Sequence, residues 1–253
     1  MRQTFAVAIG GAAGQGVATP GDIFAKLFSR RGLHVNAYNA YQSIIRGGHT
    51  FLTIRTGPEK VSNTGDKIDL LIPLNQDTMD RHLRLLSEGG ACLYNSDNIK
   101  PGTAAAGVQL CPLPVSQLAD ISKHKVAQNT LAIGAALSMM GVGFPSLAEV
   151  LTEQFRKKEQ AVIDENVSLA RAGYDYATQN FKPFAWALPM TEARYAVLSG
   201  NAAMAMGGAA AGVKFYAAYP MSPSTGVLHW FASTRARRRS WCARSKTRSA
   251  SST

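Results

Sequence analysis

The sequence predicts an α/β fold with a parallel-type sheet and flanking helices. Three observations carry this prediction. An apolar run, TFAVAI (4–9), ends at Gly10 and Gly11. A helical pattern follows over 17–31, with Ile23, Phe24, Leu27 and Phe28 on one face. After Gly32, a second strand-like run, LHVNAY, resumes. Strand, loop, helix and strand in this order open a β-α-β unit, whose crossover helix makes the strands parallel.

The later elements follow the same rules. FLTIRTG (51–57) and DLLIPL (69–74) read as strands. TMDRHLRLLSEGG (78–90) reads as an amphipathic helix closed by glycines, and ACLYN (91–95) as the next strand. NTLAIGAALSMMG (129–141) is a helix of small residues, suited to close packing. Pro145 and Ser146 introduce a further helix, LAEVLTEQFRKK, and the helical rhythm continues over 160–180. FKPFAWALPMTEA (181–193) holds two prolines and reads as a linker. YAVLSG then reads as a strand opening a second α/β segment, which runs through NAAMAMGGAAAGVKFYAAYP. Apolar periodicity ends after Trp230.

Composition narrows the class. The chain has 253 residues, of which 46% are hydrophobic and 17% charged, so it can bury a core and is not globally disordered. It has no apolar run long enough to cross a bilayer, and its glycine-rich start does not read as a secretory signal. Cys92, Cys111 and Cys242 form no CxxC pair and no metal spacing, which suits a reduced cytoplasmic protein. The net charge of +11 is concentrated at one end. Seven basic residues and no acid lie in 233–253, and setting them aside leaves 20 basic against 16 acidic residues. The basic character belongs to this tail, so nucleic acid is disfavoured as the partner of the fold.

Three segments carry candidate chemistry. GGAAGQG (10–16) lies between a strand and a helix. Gly11, Gly14 and Gly16 let backbone N–H groups approach an anion at a helix N-terminus. The spacing from Gly11 is GxxGxG, not GxGxxG, and no acid follows the second strand to hold a ribose, so a standard NAD site is disfavoured. A tight turn without ligand and an anion site explain the loop equally well. In YNAYQSIIRGGHTFLTIR (38–55), Arg46 precedes two glycines and His49. It could meet a carboxylate or phosphate, with Ser43 and His49 adding hydrogen bonds, although an isolated Arg-Gly-Gly is usually a turn. In FYAAYPMSPSTG (215–226), Tyr219 and Ser222 sit where a strand ends, the edge that ligands favour in open α/β sheets. The plainer reading there is a rigid turn capping the next helix through Ser224 or Thr225.

Taken in order, GGAAGQG, SIIRGGH, the Asn-Thr helix at 129–137 and YPMSPST resemble one family. It is the 2-oxoacid:ferredoxin (or flavodoxin) oxidoreductases, in particular the alpha subunit of the 2-oxoglutarate type with a fused gamma domain. The resemblance covers roughly residues 5–232. YPMSPST is similar to that family's Tyr-Pro-Ile-Thr-Pro-Ser signature, with Met221 for Ile and Ser222 for Thr, which keeps the hydroxyl.

The resemblance implies a Rossmann-like gamma domain over 1–180 and a linker over 181–193. It implies the start of a thiamine diphosphate pyrimidine-binding domain over 194–232. It further implies thiamine-dependent oxidative decarboxylation of a 2-oxo acid, 2-oxoglutarate favoured, to an acyl-CoA, with electrons passed to ferredoxin. Arg46 would pair with the substrate carboxylate, Ser222 would contact its carboxylate or keto oxygen, and Tyr219 would shape that pocket. Gly11, Gly14 and Gly16 would contact a phosphate or CoA.

Thiamine diphosphate and magnesium would be held mainly by alpha and beta parts lying outside this chain, and the iron–sulfur cluster by a partner. A beta subunit and ferredoxin are the implied protein partners. The family's alpha domain continues well beyond the Tyr-Pro motif, whereas here a basic low-complexity tail begins near residue 233. A frame shift or truncation there is the expectation, with a genuine basic tail as the alternative. Alone, the chain would be inactive. Two rival readings stand beside this one: a Rossmann-like nucleotide- or CoA-binding module without redox activity, and a nucleic-acid binder driven by the tail.

Overall fold

The computed structural model describes residues 4–41, 48–119, 127–219, 221, 224–234 and 242–245. The chain divides into two units, Met1–Tyr195 and Ala196–Thr253.

The first unit is a six-stranded sheet with helices on both faces. In chain order its elements are β1 (Phe5–Ala12), α1 (Ala18–Arg30), β2 (His34–Tyr41), β3 (His49–Gly57), β4 (Ile68–Pro73), α2 (Gln76–His82), β5 (Leu86–Asn95) and β6 (Gln109–Leu113). They are followed by α3 (Val115–Leu118), α4 (Ala127–Met139), α5 (Phe144–Phe155) and α6 (Gln160–Asn180). The strand order is β2-β3-β1-β4-β5-β6. β1, β4, β5 and β6 run parallel, while β3 is antiparallel to both β1 and β2. The β1-α1-β2 crossover expected from sequence therefore forms with β3 inserted between its two strands.

Alternation along each strand divides the core into two layers. Val7, Ile9, Leu70, Ile72, Leu93 and Leu113 face one side, with Phe24 and Phe28 of α1 and the buried faces of α4, α5 and α6. Ala6, Ala8, Leu71, Cys92 and Tyr94 face the other, with Met79 of α2 and Leu83. Small residues in β1 let α2 lie close on this thinner side. β3 alternates buried and half-buried residues, as a strand covered on one face should.

α4 and α6 pack most closely. A Cβ on Gly134 would lie 1.9 Å from the carbonyl oxygen of Ala170, and one on Gly173 would lie 2.1 Å from that of Leu131. Each helix thus presents a glycine to the other's backbone.

Several sequence expectations are corrected. β1 does not end at Gly10 and Gly11 but continues to Ala12, because both glycines pair with β3 opposite Phe51 and Thr50. The space at Gly10 is already filled, since an added Cβ would meet Thr78 and Phe51 within 3 Å. The helix expected over 78–90 starts at Gln76 and ends at His82, followed by a 3-10 turn over Leu83–Leu85. Residues 86–90 instead begin β5, where Leu86 pairs with Ile68 and Gly89 takes φ 72° beside an irregularity in the register. The strand read at YAVLSG does not form: 195–199 hold no helix or strand, and Val197 and Leu198 are exposed. β6 carries no clear strand signal because Pro112 interrupts QLCPL. An edge position tolerates that proline.

Residues 181–193 contain no helix or strand, yet they lie against the sheet unit. Phe184 and Trp186 pack edge-on to Phe5, at 5.2 and 4.4 Å between ring centroids. The Thr191 N–H donates to the carbonyl of Arg31 at 2.8 Å. The second unit holds α7 (Gly200–Ala210), β7 (Phe215–Ala218) and α8 (Thr225–Thr234), with β8 (Cys242–Ser245) pairing parallel to β7. Ala205, Val227 and Phe231 form its small core. No helix among the described residues is long and apolar enough to cross a membrane.

Candidate ligand-binding site at the sheet edge

The chain leaves β1 and β4, parallel neighbours, in opposite directions. α1 packs on one face of the sheet and α2 on the other. The C-terminal ends of these two strands therefore flank a topological switch point, where open α/β sheets form a crevice. The glycine loop after β1 and Asn75 after β4 border it.

Carboxamide side chains fix this edge. Gln15 Oε1 accepts from the Ala12 N–H at 2.7 Å and from Asn75 Nδ2 at 3.0 Å. Asn75 Oδ1 in turn accepts from the Thr78 N–H and hydroxyl at 2.9 and 2.8 Å, capping α2. Asn129, in the first turn of α4, donates through Nδ2 to the carbonyls of Gln15 and Gly16 at 2.9 and 3.4 Å. These bonds set which atom of each amide is oxygen. Further along the edge, Asn95 Nδ2 donates to Gln128 Oε1 at 3.3 Å.

Of the loop glycines expected to matter, Gly14 and Gly16 adopt φ 93° and 78°, a region that side chains disfavour. Gly11 lies in β1, with Gln15 Oε1 2.8 Å from where its Cβ would stand. The loop delivers the chain to α1, whose N-cap is Val17. That helix end has no side-chain cap and no acid in its first turn, so it presents uncompensated positive potential.

The segment before β3 reaches the same edge. The Ala13 N–H donates to the Gly48 carbonyl at 2.9 Å, and His49 pairs with Ala12. The glycine loop and the Gly48-His49 pair, distant in sequence, are thus adjacent. Arg46 and Ser43 lie outside the described residues. Ser222 does too, while Tyr219 is described and is 66% exposed.

His49 belongs to a polar cluster that has no signature in the sequence. Its Nε2 lies 2.8 Å from Nε2 of His82, and its Nδ1 lies 3.4 Å from an Asp77 carboxylate oxygen. His82 stacks on Phe51 at 3.7 Å. Burial, the neighbouring His49 and Arg81 push the His82 imidazole down to about 4, and burial also lowers His49 against the pull of Asp77.

Stability should therefore depend on pH in the acid range. Above 6.5, His82 is neutral whether folded or unfolded, and its environment carries no penalty. As pH falls from 6.5 toward 4, the unfolded chain takes up the proton first and stability drops. Urea midpoints measured across this window should fall, and His82→Phe, which keeps the stack on Phe51, should flatten the decline. An unchanged slope in that variant would contradict the assignment.

Cys92 and Cys111 are buried, and burial raises both thiols, that of Cys111 to about 12. Neither is suited to act as a thiolate. Among the described residues, no group of three or more His, Cys, Asp or Glu is placed to hold a metal ion.

Comparison with known proteins identifies the family. The profile of the pyruvate ferredoxin/flavodoxin oxidoreductase family matches residues 6–176, the stretch from β1 into α6. The chain belongs to this family. Among relatives of the pyruvate ferredoxin/flavodoxin oxidoreductases, the alpha subunit of 2-oxoacid:ferredoxin oxidoreductase 2 from Aeropyrum pernix is 25% identical, over 86% of this chain and 41% of its own length. The 2-oxoglutarate:ferredoxin oxidoreductase of Magnetococcus marinus, solved with 2-oxoglutarate, coenzyme A and succinyl-CoA bound, superposes with a TM-score of 0.83 at 26% identity. That match covers 94% of this chain and 42% of the other. The gamma subunit of a keto/oxoacid ferredoxin oxidoreductase from Geobacter sulfurreducens shares the fold, with a TM-score of 0.56 at 21% identity, and covers 69% of this chain and 99% of its own. The chain spans about two-fifths of the length of the curated alpha-subunit relatives it matches.

Proposed function

We propose that this chain is a component of a 2-oxoacid:ferredoxin oxidoreductase. The reaction converts a 2-oxo acid, 2-oxoglutarate favoured, and CoA into an acyl-CoA and carbon dioxide, with an electron pair passed to ferredoxin. The observation that best supports this is the extent of the likeness. A gamma subunit accounts for 69% of the chain, whereas the 2-oxoglutarate enzyme accounts for 94%. In this reading 1–180 is the gamma domain, 181–193 connects it to the start of the pyrimidine-binding domain over 194–232, and 233–253 is an out-of-frame basic tail. The enzyme works in the cytoplasm.

In this reading thiamine diphosphate, its magnesium and the iron–sulfur cluster are held mainly by the remaining alpha and beta polypeptides. This chain contributes binding. Gly11, Gly14 and Gly16 shape the loop that receives a CoA phosphate at the α1 N-terminus. Arg46 pairs with the 2-oxo acid carboxylate, Ser222 donates to its carboxylate or keto oxygen, and Tyr219 walls the pocket.

The test is viologen reduction with 2-oxoglutarate and CoA. The purified chain should give none, and adding the complementary alpha and beta polypeptides should restore it. Robust reduction by the chain alone would overturn the proposed division of labour. CoA binding without any reduction in the full assembly would favour the plain binding-module reading.

A further inference from the structure

β7 has the sequence of a strand buried on both faces. Phe215-Tyr216-Ala217-Ala218 is apolar at every position, the pattern of a strand inside a parallel sheet covered on both sides. Only one side is met. Tyr216 packs on the core of Ala205, Val227 and Phe231, with its ring centroid 5.0 Å from that of Phe231. Phe215 alternates to the other side and is 64% exposed. Met204 and Met206 of α7 are exposed as well. Among the described residues this sheet holds two strands, fewer than independent stability needs.

β8 is a poor match for the place it takes. It pairs with β7 in parallel, from Phe215 opposite Cys242 to Ala218 opposite Ser245. Its sequence, Cys-Ala-Arg-Ser, has no β-branched or aromatic residue and carries a charge, so it suits a sheet interior badly. Its advantage is proximity, because it belongs to the same chain as its partner strand. We propose that the edge of β7 held by β8 is a docking edge for the remaining alpha polypeptide, and that β8 is an internal competitor for it. This rests on the oxidoreductase reading, in which 233–253 lies outside the alpha domain. The chain matches 42% of the polypeptide of the 2-oxoglutarate enzyme, so the larger part is left to supply an apolar strand by β-addition and a layer over Phe215. Assembly then requires β8 to leave the edge.

Cross-linking in the full chain tests the pairing. Phe215→Cys places a cysteine opposite Cys242, and oxidation should join the two within one chain. Ala218→Cys, opposite Ser245, is the control and should join far less. Cys92 and Cys111 are buried in the sheet unit and stay out of the reaction. The complementary alpha polypeptide is then titrated calorimetrically into the oxidised and the reduced Phe215→Cys chain. Locking should weaken binding at least about tenfold, and reduction should restore it. A wild-type chain ended at Thr234 should bind roughly tenfold tighter than the full chain, the shift expected if β8 holds the edge about nine-tenths of the time. Absence of the intrachain cross-link would overturn the pairing, and cross-linked dimers would give the edge to a second copy instead. Equal affinity in locked and reduced chains, equal affinity with and without the tail, or binding to none of these forms would overturn the competition. The cross-link is read on this chain alone and viologen reduction on the full assembly, so the oxidoreductase reading fails or survives separately.

Discussion

Gly134→Ala is expected to lower the melting temperature of the chain by roughly 10 °C, a large loss for one added methyl group. The added Cβ would stand 1.9 Å from the Ala170 carbonyl oxygen, well inside contact distance. The neighbour is backbone in the middle of α6, so it cannot rotate away as a side chain would. α4 must move off α6, and both helices cover the thick layer of the core. Overpacking of this kind costs about 3 kcal/mol. Gly173→Ala meets the Leu131 carbonyl from the opposite direction and should cost a similar amount. The pair together should lose less than the sum, because one displacement relieves both clashes. Gly207→Ala in α7 is the control: its Cβ meets nothing within 4 Å, and stability should hold or rise slightly. Differential scanning calorimetry checks all four proteins. A Gly134→Ala melting point within about 2 °C of wild type would mean that α4 and α6 are not in backbone contact.

Arg46→Ala carries the largest expected effect on activity. In the reconstituted oxidoreductase, kcat/KM for 2-oxoglutarate should fall by roughly 100-fold, the loss expected when one side of a desolvated charge pair is truncated. KM for CoA should change little, since the proposed reading gives that ligand to the glycine loop and not to Arg46. Arg46→Lys should recover only part of the loss, because an ammonium cannot make the paired contact of a guanidinium. Steady-state kinetics with each substrate varied in turn provides the measurement. An equal loss toward both substrates would point to a collapsed segment, not a carboxylate partner.

Much of the fold was legible because it rests on local pattern. The opening strand, α1 and its buried face of Ile23, Phe24, Leu27 and Phe28 follow from apolar spacing and from Gly32. The small-residue run at 129–141 announced close packing, and Gly134 shows why. Other features depend on partners distant in sequence. Nothing local says that β3 inserts between β1 and β2, since any half-covered strand alternates in the same way. Residues 86–90 look like the end of an amphipathic helix, and only pairing with Ile68 draws them into β5.

The site divides along the same line. Glycines in a strand–helix turn are conspicuous in sequence, and Gly14 and Gly16 do take the backbone region that calls for them. Gln15 and Asn129 meet across 114 positions, and His49 and His82 across 33, so their carboxamide and imidazole contacts had no local signal. The Asn-Thr start of α4 was part of the family likeness, and the structure supplies its physical reason: the asparagine clamps the glycine loop.

The most direct test of the central claim is release of labelled carbon dioxide from 2-oxoglutarate carrying the label in its C1 carboxylate. The complementary alpha and beta polypeptides would be assayed with CoA and ferredoxin, with and without this chain. The account predicts that adding the chain switches on carbon dioxide release, with acyl-CoA formed in equal amount. Release at the same rate whether or not the chain is present would contradict it.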